Sequence, residues 1–103
     1  MTGKKAIAIP RVDNGLAVVT EWRFEPGQET GHHVHTMDYL VIPLTDGTLR
    51  VGDVETPLQA GAAYARPAGV AHNVVNAGRL PLRFIEVEFK PSRFSTVPQG
   101  DKS

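Results

Sequence analysis

Short segments in which apolar and polar residues alternate follow one another along most of this chain. The alternation is clearest in residues 16–24 and 82–89. Side chains of a β-strand point alternately to its two faces, so this pattern is typical of half-buried strands. No segment keeps the apolar period of an amphipathic helix over a helix length. The pattern therefore predicts an all-β protein.

Glycine and proline divide these segments into short strands. Pro10 ends the first strand, because proline cannot donate to a strand ladder. Asp46-Gly47 and Gly52-Asp53 each lie between two apolar runs and predict two-residue type I′ hairpin turns. The expected strands cover residues 6–9, 16–24, 32–36, 37–45, 48–51, 54–58, 63–66, 72–77 and 82–89.

Many short antiparallel strands imply a sandwich or a closed barrel, because an open sheet of that size would leave exposed edges. Closure brings strands that are distant in sequence face to face. His33 and His35 are separated by Val34 and project from one face of their strand, so together they can bind a metal. His72 is the natural third ligand across the interior. His32 points the other way, and we expect it to be solvated.

The last strand carries two acidic residues on one face. Glu86 and Glu88 alternate with Ile85 and Val87. We expect the glutamate face to be wet or paired.

Length and composition narrow the function. The 103 residues fit one domain, 1–103, with loose ends at 1–5 and 91–103. Eleven basic residues balance eleven acidic ones, so no net charge recruits nucleic acid or anionic lipid. The absence of cysteine excludes disulfides, zinc–thiolate sites and a cysteine nucleophile. With no leader-like segment and no apolar run of about 18 residues, we expect a cytoplasmic protein without a membrane span.

Two spaced motifs in the middle of the chain give its most specific signal. The first joins a glycine to a His-x-His pair and a later glycine, here Gly27, His33, His35 and Gly47. The second joins a glycine, Pro-x-Gly, a histidine and an asparagine, here Gly61, Pro67, Gly69, His72 and Asn76. In this order, over residues 27–76, they resemble the two motifs of the cupin superfamily. The phrase GHHVHTMDYLVIPLTDGTLRV is also similar to small stand-alone cupins associated with β-alanine degradation.

The resemblance implies a single cupin-type jelly-roll β-barrel in which His33, His35 and His72 bind a metal. On this interpretation the motif glycines permit a positive φ or close packing and have no chemical role. Pro67 shapes the loop that carries His72. Asn76 is expected to make turn or edge hydrogen bonds.

The first cupin motif also contains a glutamate. A gap of three or four residues separates it from the second histidine, and a gap of six residues separates it from the last glycine. With the four-residue gap and the spacing to Gly47 kept, this position falls on Leu40, which cannot coordinate a metal. On this register Tyr39 faces away from the metal and packs outside or at an interface. Asp38, two residues before Leu40, is the alternative carboxylate if the register shifts.

Three imidazoles suit a transition metal, whereas magnesium and calcium prefer oxygen ligands. Iron is our first choice, with nickel, zinc, copper and manganese as alternatives. Because histidines add no negative charge, such a centre favours an anionic chelating ligand, such as a carboxylate, an enolate or a thiolate. Among the cupins, the three-histidine dioxygenases are the enzymes to which we compare this site. The comparison concerns the metal site only.

Some side chains near these motifs have a structural and a functional interpretation. Trp22, Phe24 and Tyr64 could line a pocket beside the metal, but plain core is the favoured interpretation. Arg66 could bind a substrate carboxylate near the mouth, although a solvated arginine is the more common case.

Three hypotheses of function follow. The first is an iron-type oxygenase that acts on a small anionic chelating metabolite. The second is a non-catalytic cupin that binds a metal or a small ligand, since a missing carboxylate is what loss of catalysis would look like. The third is a metal-assisted isomerase or lyase. We also expect a homodimer, formed through an apolar outer sheet face.

Overall fold

The structure is a computed structural model that describes residues 4–91. Within this range the chain forms ten strands and no helix, which confirms the all-β prediction. No helix of the described chain has the length and apolarity to cross a bilayer. The strands are β1 (Ile7–Asp13), β2 (Ala17–Phe24), β3 (His33–Val34), β4 (Tyr39–Pro43), β5 (Gly47–Val51), β6 (Val54–Leu58), β7 (Tyr64–Arg66), β8 (Ala71–His72), β9 (Val74–Asn76) and β10 (Leu82–Phe89).

Two sheets enclose the core in a jelly-roll arrangement. A five-stranded sheet has the order β1-β2-β10-β4-β7, a three-stranded sheet has the order β6-β5-β9, and β3 pairs with β8. All of these strand pairs are antiparallel. Both larger sheets contribute to the buried apolar cluster, which consists of Phe24, Tyr39, Val41, Leu49, Leu58, Val74, Leu82 and Phe84. Phe24 is therefore core, as expected.

One of the two expected hairpins is present. Gly52 and Asp53 join β5 to β6, with Val51 paired to Val54. Gly52 has a φ of +59° and Asp53 has no positive φ. A positive φ at the first central position alone is the pattern of a type II′ turn, so the predicted type I′ is wrong.

The hairpin predicted at Asp46-Gly47 is wrong. β4 pairs with β10 and β7, whereas β5 pairs with β6 and β9, so the chain crosses here between sheets. Gly47 serves close packing instead: a Cβ atom on it would lie 2.7 Å from Cδ1 of Leu82. The local signal identifies a turn correctly but does not determine which strands pair.

The first strand and the residues before it are more ordered than expected. β1 continues through Pro10, with a register irregularity between Pro10 and Val12. The proline is tolerated because β1 is an edge strand that pairs only with β2. Lys4 and Ala6 exchange backbone hydrogen bonds with Glu29, at 3.0 and 2.8 Å, so residues 4–5 are not loose. Residues 1–3 and 92–103 of the expected loose ends lie outside the described residues.

Candidate metal centre

Three histidines from two remote segments converge inside the molecule. Antiparallel pairing of β3 with β8 places His33 directly opposite His72. Nε2 of His35 lies 3.0 Å from Nε2 of His33 and 3.1 Å from Nε2 of His72. The three side chains form a group of ligand atoms within 4.8 Å of one another that could hold a metal ion. The expected convergence of these rings is therefore present.

The loop before β8 holds the position of His35. The backbone nitrogen of His35 donates to the Val70 carbonyl at 2.8 Å, and Gly69 donates to the His35 carbonyl at 2.7 Å. Gly69 has a φ of +98°, which side chains disfavour, so the turn requires glycine. Asp38 Oδ1 accepts a hydrogen bond of 2.8 Å from the Ala68 nitrogen in the same loop. Asp38 thus anchors the loop and is not among the clustered ligand groups of residues 4–91.

His33 has a hydrogen bond that orients its ring. Its Nδ1 lies 2.8 Å from the Gly31 carbonyl, so Nδ1 donates and Nε2 keeps its lone pair. The amide of Asn73 holds the same segment in place: Oδ1 accepts from the Gly31 nitrogen at 2.9 Å, and Nδ2 donates to Glu29. Sequence reasoning did not identify these partners, because nothing in the motif spacing indicates them.

Burial keeps two of the three histidines neutral. His35 is only 3% exposed. Burial, followed by the charge of His33, lowers the pKa of His35 to about 4. Burial and the neighbouring histidines likewise lower the pKa of His72 to about 4. At neutral pH these two rings are uncharged, which is the form that binds a metal. His32 is exposed, as expected.

Tyr39, not Leu40, occupies the inward position of β4. Tyr39 is 3% exposed, and its ring stacks on His35 with centroids 3.8 Å apart. The prediction that Tyr39 faces away is wrong. That prediction assumed a gap of four residues between His35 and the motif position. In the structure the gap is three residues, so Tyr39 points to the same side as His33 and His35. The inward side chain at this position is thus a phenol in place of a carboxylate.

Two carboxylates reach His35 from β10 instead. Glu86 Oε2 lies 3.7 Å from Nε2 of His35, and Glu88 Oε2 lies 3.5 Å from Nδ1. Trp22 Nε1 donates to Glu86 Oε1 at 3.4 Å. Burial, followed by the charge of Glu88, raises the pKa of Glu86 to about 7. Of the two expectations for this face, Glu86 fits "paired" through the hydrogen bond from Trp22, and "wet" is wrong for it because it is only 9% exposed.

A cavity of about 680 Å³ opens beside the histidines. His33, His72, Tyr39 and Glu86 contribute polar atoms to its wall. Much of the remaining wall is apolar, formed by Val41, Leu49, Val51, Val54, Leu58, Val70, Val74 and Phe84. Such a cavity has the size and the mixture of groups typical of small-molecule sites.

The favoured interpretations of Trp22, Tyr64 and Arg66 are confirmed: Trp22 and Tyr64 pack against the core, and Arg66 is exposed. Tyr64 and Arg66 both line the cavity. Trp22 packs partly against the core, yet its indole donates to Glu86. Asn76 is 2% exposed and donates to the carbonyls of Phe24 and Leu80, so its expected role in turn hydrogen bonding is confirmed.

The spacing of the nitrogens fits a transition metal. Two imidazole nitrogens that bind one metal at about 2.1 Å and at a right angle are about 3.0 Å apart. The two distances at His35, 3.0 and 3.1 Å, agree with this value. Three nitrogens on one face of such an ion would leave its other positions open to ligands.

Known proteins are similar to this chain in sequence and in fold. The model of the cupin domain matches residues 20–88. The β-alanine degradation protein BauB of Pseudomonas aeruginosa is 53% identical over 95 residues, which cover 87% of this chain and 100% of that protein. A crystal structure of a cupin domain from Bordetella pertussis has a TM-score of 0.83 and 44% identity, over 88% of this chain and 99% of that one. The structure of TT1209 from Thermus thermophilus has a TM-score of 0.67 and 29% identity, over 84% and 86% of the two chains. The chain therefore belongs to the cupin family.

Proposed function

We propose that this cupin binds a divalent transition metal through His33, His35 and His72 and acts as an oxygenase on a small anionic metabolite. The observation that carries the metal centre is the meeting of three Nε2 atoms beside a cavity, at separations of 3.0 and 3.1 Å from the central one. Iron is the proposed ion, with nickel, zinc, copper and manganese as alternatives. When bound, the metal supplies Lewis acidity and open positions for a chelating substrate and dioxygen.

The chain's own groups favour an anionic chelator. The three imidazoles bring no negative charge to the metal, and the inward position of β4 is Tyr39. Glu86 lies 3.7 Å from Nε2 of His35 and belongs with His35 and Glu88 to a second group that could hold a metal, but burial raises its pKa to about 7, which favours its neutral form. A substrate that provides an enolate, carboxylate or thiolate would balance the charge on binding. The apolar part of the cavity wall would exclude water around the bound molecule.

The relative named for β-alanine degradation suggests which metabolites to try first. A three-carbon oxo acid derived from β-alanine carries a carboxylate and an enolisable carbonyl, and can chelate a metal through both. We propose this chemical class as the first substrate panel, with small thiols and diketones as the second.

Activity is tested on protein purified without chelating resin. Elemental analysis identifies the metal, and oxygen uptake is measured after anaerobic loading with iron(II). Oxygen consumption that is stoichiometric with substrate loss is the expected result. Turnover without oxygen uptake would favour the isomerase or lyase instead. An iron-replete protein that is inert across the panel would contradict catalysis.

A non-catalytic binding protein is the second candidate, and one observation favours it. The Tyr39 ring stacks on the central histidine where a carboxylate would otherwise complete the ligand set. Tight ligand binding with the ligand recovered unchanged would support this candidate over the oxygenase.

A further inference from the structure

We propose that Arg66 forms an anion-binding subsite in the cavity, and that the substrate carries a carboxylate in addition to the group that chelates the metal. This inference rests on the proposed metal centre and narrows the substrate class: a three-carbon oxo acid uses its one carboxylate for chelation, so the cavity should prefer chelating molecules that carry a further carboxylate. Four observations carry it. They are the position of Arg66, its lack of an ion-pair partner among residues 4–91, the orientation of its guanidinium, and the largely apolar wall between Arg66 and the candidate metal site.

The position of Arg66 is set by strand register. Arg66 of β7 pairs directly with Tyr39 of β4. Residues directly opposite each other on neighbouring strands point to the same face of the sheet. Tyr39 points inward and stacks on His35, and both Tyr39 and Arg66 line the cavity that His33 and His72 also line. Arg66 is exposed, so its guanidinium lies at the solvent-facing side of the cavity that the candidate metal site also borders.

Arg66 has no ion-pair partner among residues 4–91. Arg11, Arg23 and Arg83, in contrast, all pair with Glu21 on the outer side of β2. A guanidinium has five N–H donors. Arg66 uses Nη1 to donate to the Ala65 carbonyl at 2.8 Å, which leaves donors for a ligand.

An aromatic ring holds the guanidinium in place. Its central carbon lies 4.7 Å from the centroid of the Tyr64 ring, which also lines the cavity. Stacking of this kind covers the flat face and leaves the N–H edge for a carboxylate, which it can bind in bidentate geometry. The positive charge of Arg66 also acts on the Tyr64 ring: burial raises the pKa of Tyr64, and Arg66 opposes this shift.

The wall near these polar groups is largely apolar. Val41, Val70 and Phe84 are among its residues. Hydrophobic walls suit the carbon segment of a ligand, while isolated polar groups select its ends. The expected ligand therefore has an oxygen or sulfur chelating group, a short carbon chain and a carboxylate.

Two diketones that differ by a carboxylate-bearing arm test the subsite. Cobalt(II)-loaded full-length protein is titrated with acetylacetone and with 4,6-dioxoheptanoate, and binding is followed by calorimetry and by the visible spectrum. We expect the wild-type protein to bind 4,6-dioxoheptanoate at least about tenfold more tightly, the value of one hydrogen-bonded charge pair. Arg66→Gln should remove this preference and leave the Kd of acetylacetone unchanged. Arg66→Lys, which keeps the charge but not the planar edge, should retain only part of it.

Arg50→Gln is the matched control, because Arg50 is exposed on β5 and does not line the cavity. Its preference should equal that of the wild type. Equal Kd values of the two diketones for the wild type, an undiminished preference in Arg66→Gln, or cobalt binding with no response to either diketone would overturn the subsite alone. A wild-type protein that takes up no cobalt would overturn the metal centre, and the subsite with it.

Discussion

Glu88 Oε2 lies 3.5 Å from Nδ1 of His35, while Nε2 of the same ring lies 3.0 Å from Nε2 of His33. A carboxylate on the Nδ1 side stabilises the tautomer with its proton on Nδ1 and its lone pair on Nε2. His33 obtains the same orientation from the Gly31 carbonyl. Among the three proposed ligands, His33 thus has a hydrogen-bond partner on its Nδ1 side, and His35 has a carboxylate in electrostatic contact there.

Glu88→Gln should therefore weaken metal binding without abolishing it. Loss of such an outer partner lowers metal affinity by about 10- to 100-fold. The Kd is measured by competition with a chromogenic chelator, and the fold is checked by the circular dichroism spectrum. Glu55→Gln, an exposed change on β6, is the control. An affinity equal to that of the wild type would show that Glu88 does not act on the ligand.

His72→Ala should remove most of the bound metal. The substitution deletes one of three converging nitrogens, so it should cost at least as much affinity as the loss of an outer partner, which is about 10- to 100-fold. Metal content per chain after gel filtration is the measurement, with His32→Ala as the control because His32 is exposed. Equal metal content in His72→Ala and the wild type would remove this residue from the site.

The two motifs were sufficient to predict which histidines meet, because their spacing reports strand partners. They did not predict the inward residue of β4. The motif allows a gap of three or four residues, and the choice depends on the irregular segment between His35 and Tyr39. The two-residue period of a strand likewise assigned Glu86 and Glu88 to one face, but it did not show that this face points inward. Phe84, buried on the same face, was the available signal.

Other parts of the sequence analysis depend on more than the local sequence. An Asp-Gly turn reports a local bend, and whether the flanking strands pair depends on the long-range order of the sheets. The proposed oxygenase chemistry, the identity of the metal, the homodimer, the cytoplasmic location and the single domain of residues 1–103 stay predictions. The first four of these depend on a ligand, a partner or an environment that the pattern of one sequence does not encode.

Glu21 gives a prediction of pH-dependent stability. Hydrogen bonds from Arg23 and then Arg11 lower the pKa of Glu21 from 4.5 to about 2. Since the folded-state value lies below the unfolded one, the arginine contacts stabilise the fold fully above about pH 4.5, and this contribution is lost as the pH falls toward 2.

Glu21→Gln should accordingly have a lower Tm than the wild type at pH 7, and the difference should shrink below about pH 4.5. Thermal unfolding followed by circular dichroism from neutral to acidic pH measures both. Glu25→Gln is the control because its carboxylate is exposed. A difference in Tm that does not change with pH would contradict the assignment of these ion pairs.

Gly47→Ala tests the crossing between the two sheets. The new Cβ would meet Cδ1 of Leu82 at 2.7 Å, so the fully buried leucine side chain would have to shift within the core. Overpacking of this kind costs about 1–3 kcal/mol in the free energy of unfolding, which urea denaturation measures. Gly15→Ala is the matched control, since nothing lies within 4 Å of its added Cβ and its φ is not positive. We expect the control to change stability by less than about 0.5 kcal/mol, as exposed substitutions usually do. If both variants unfold at the same urea concentration, close packing at Gly47 is not what requires glycine there.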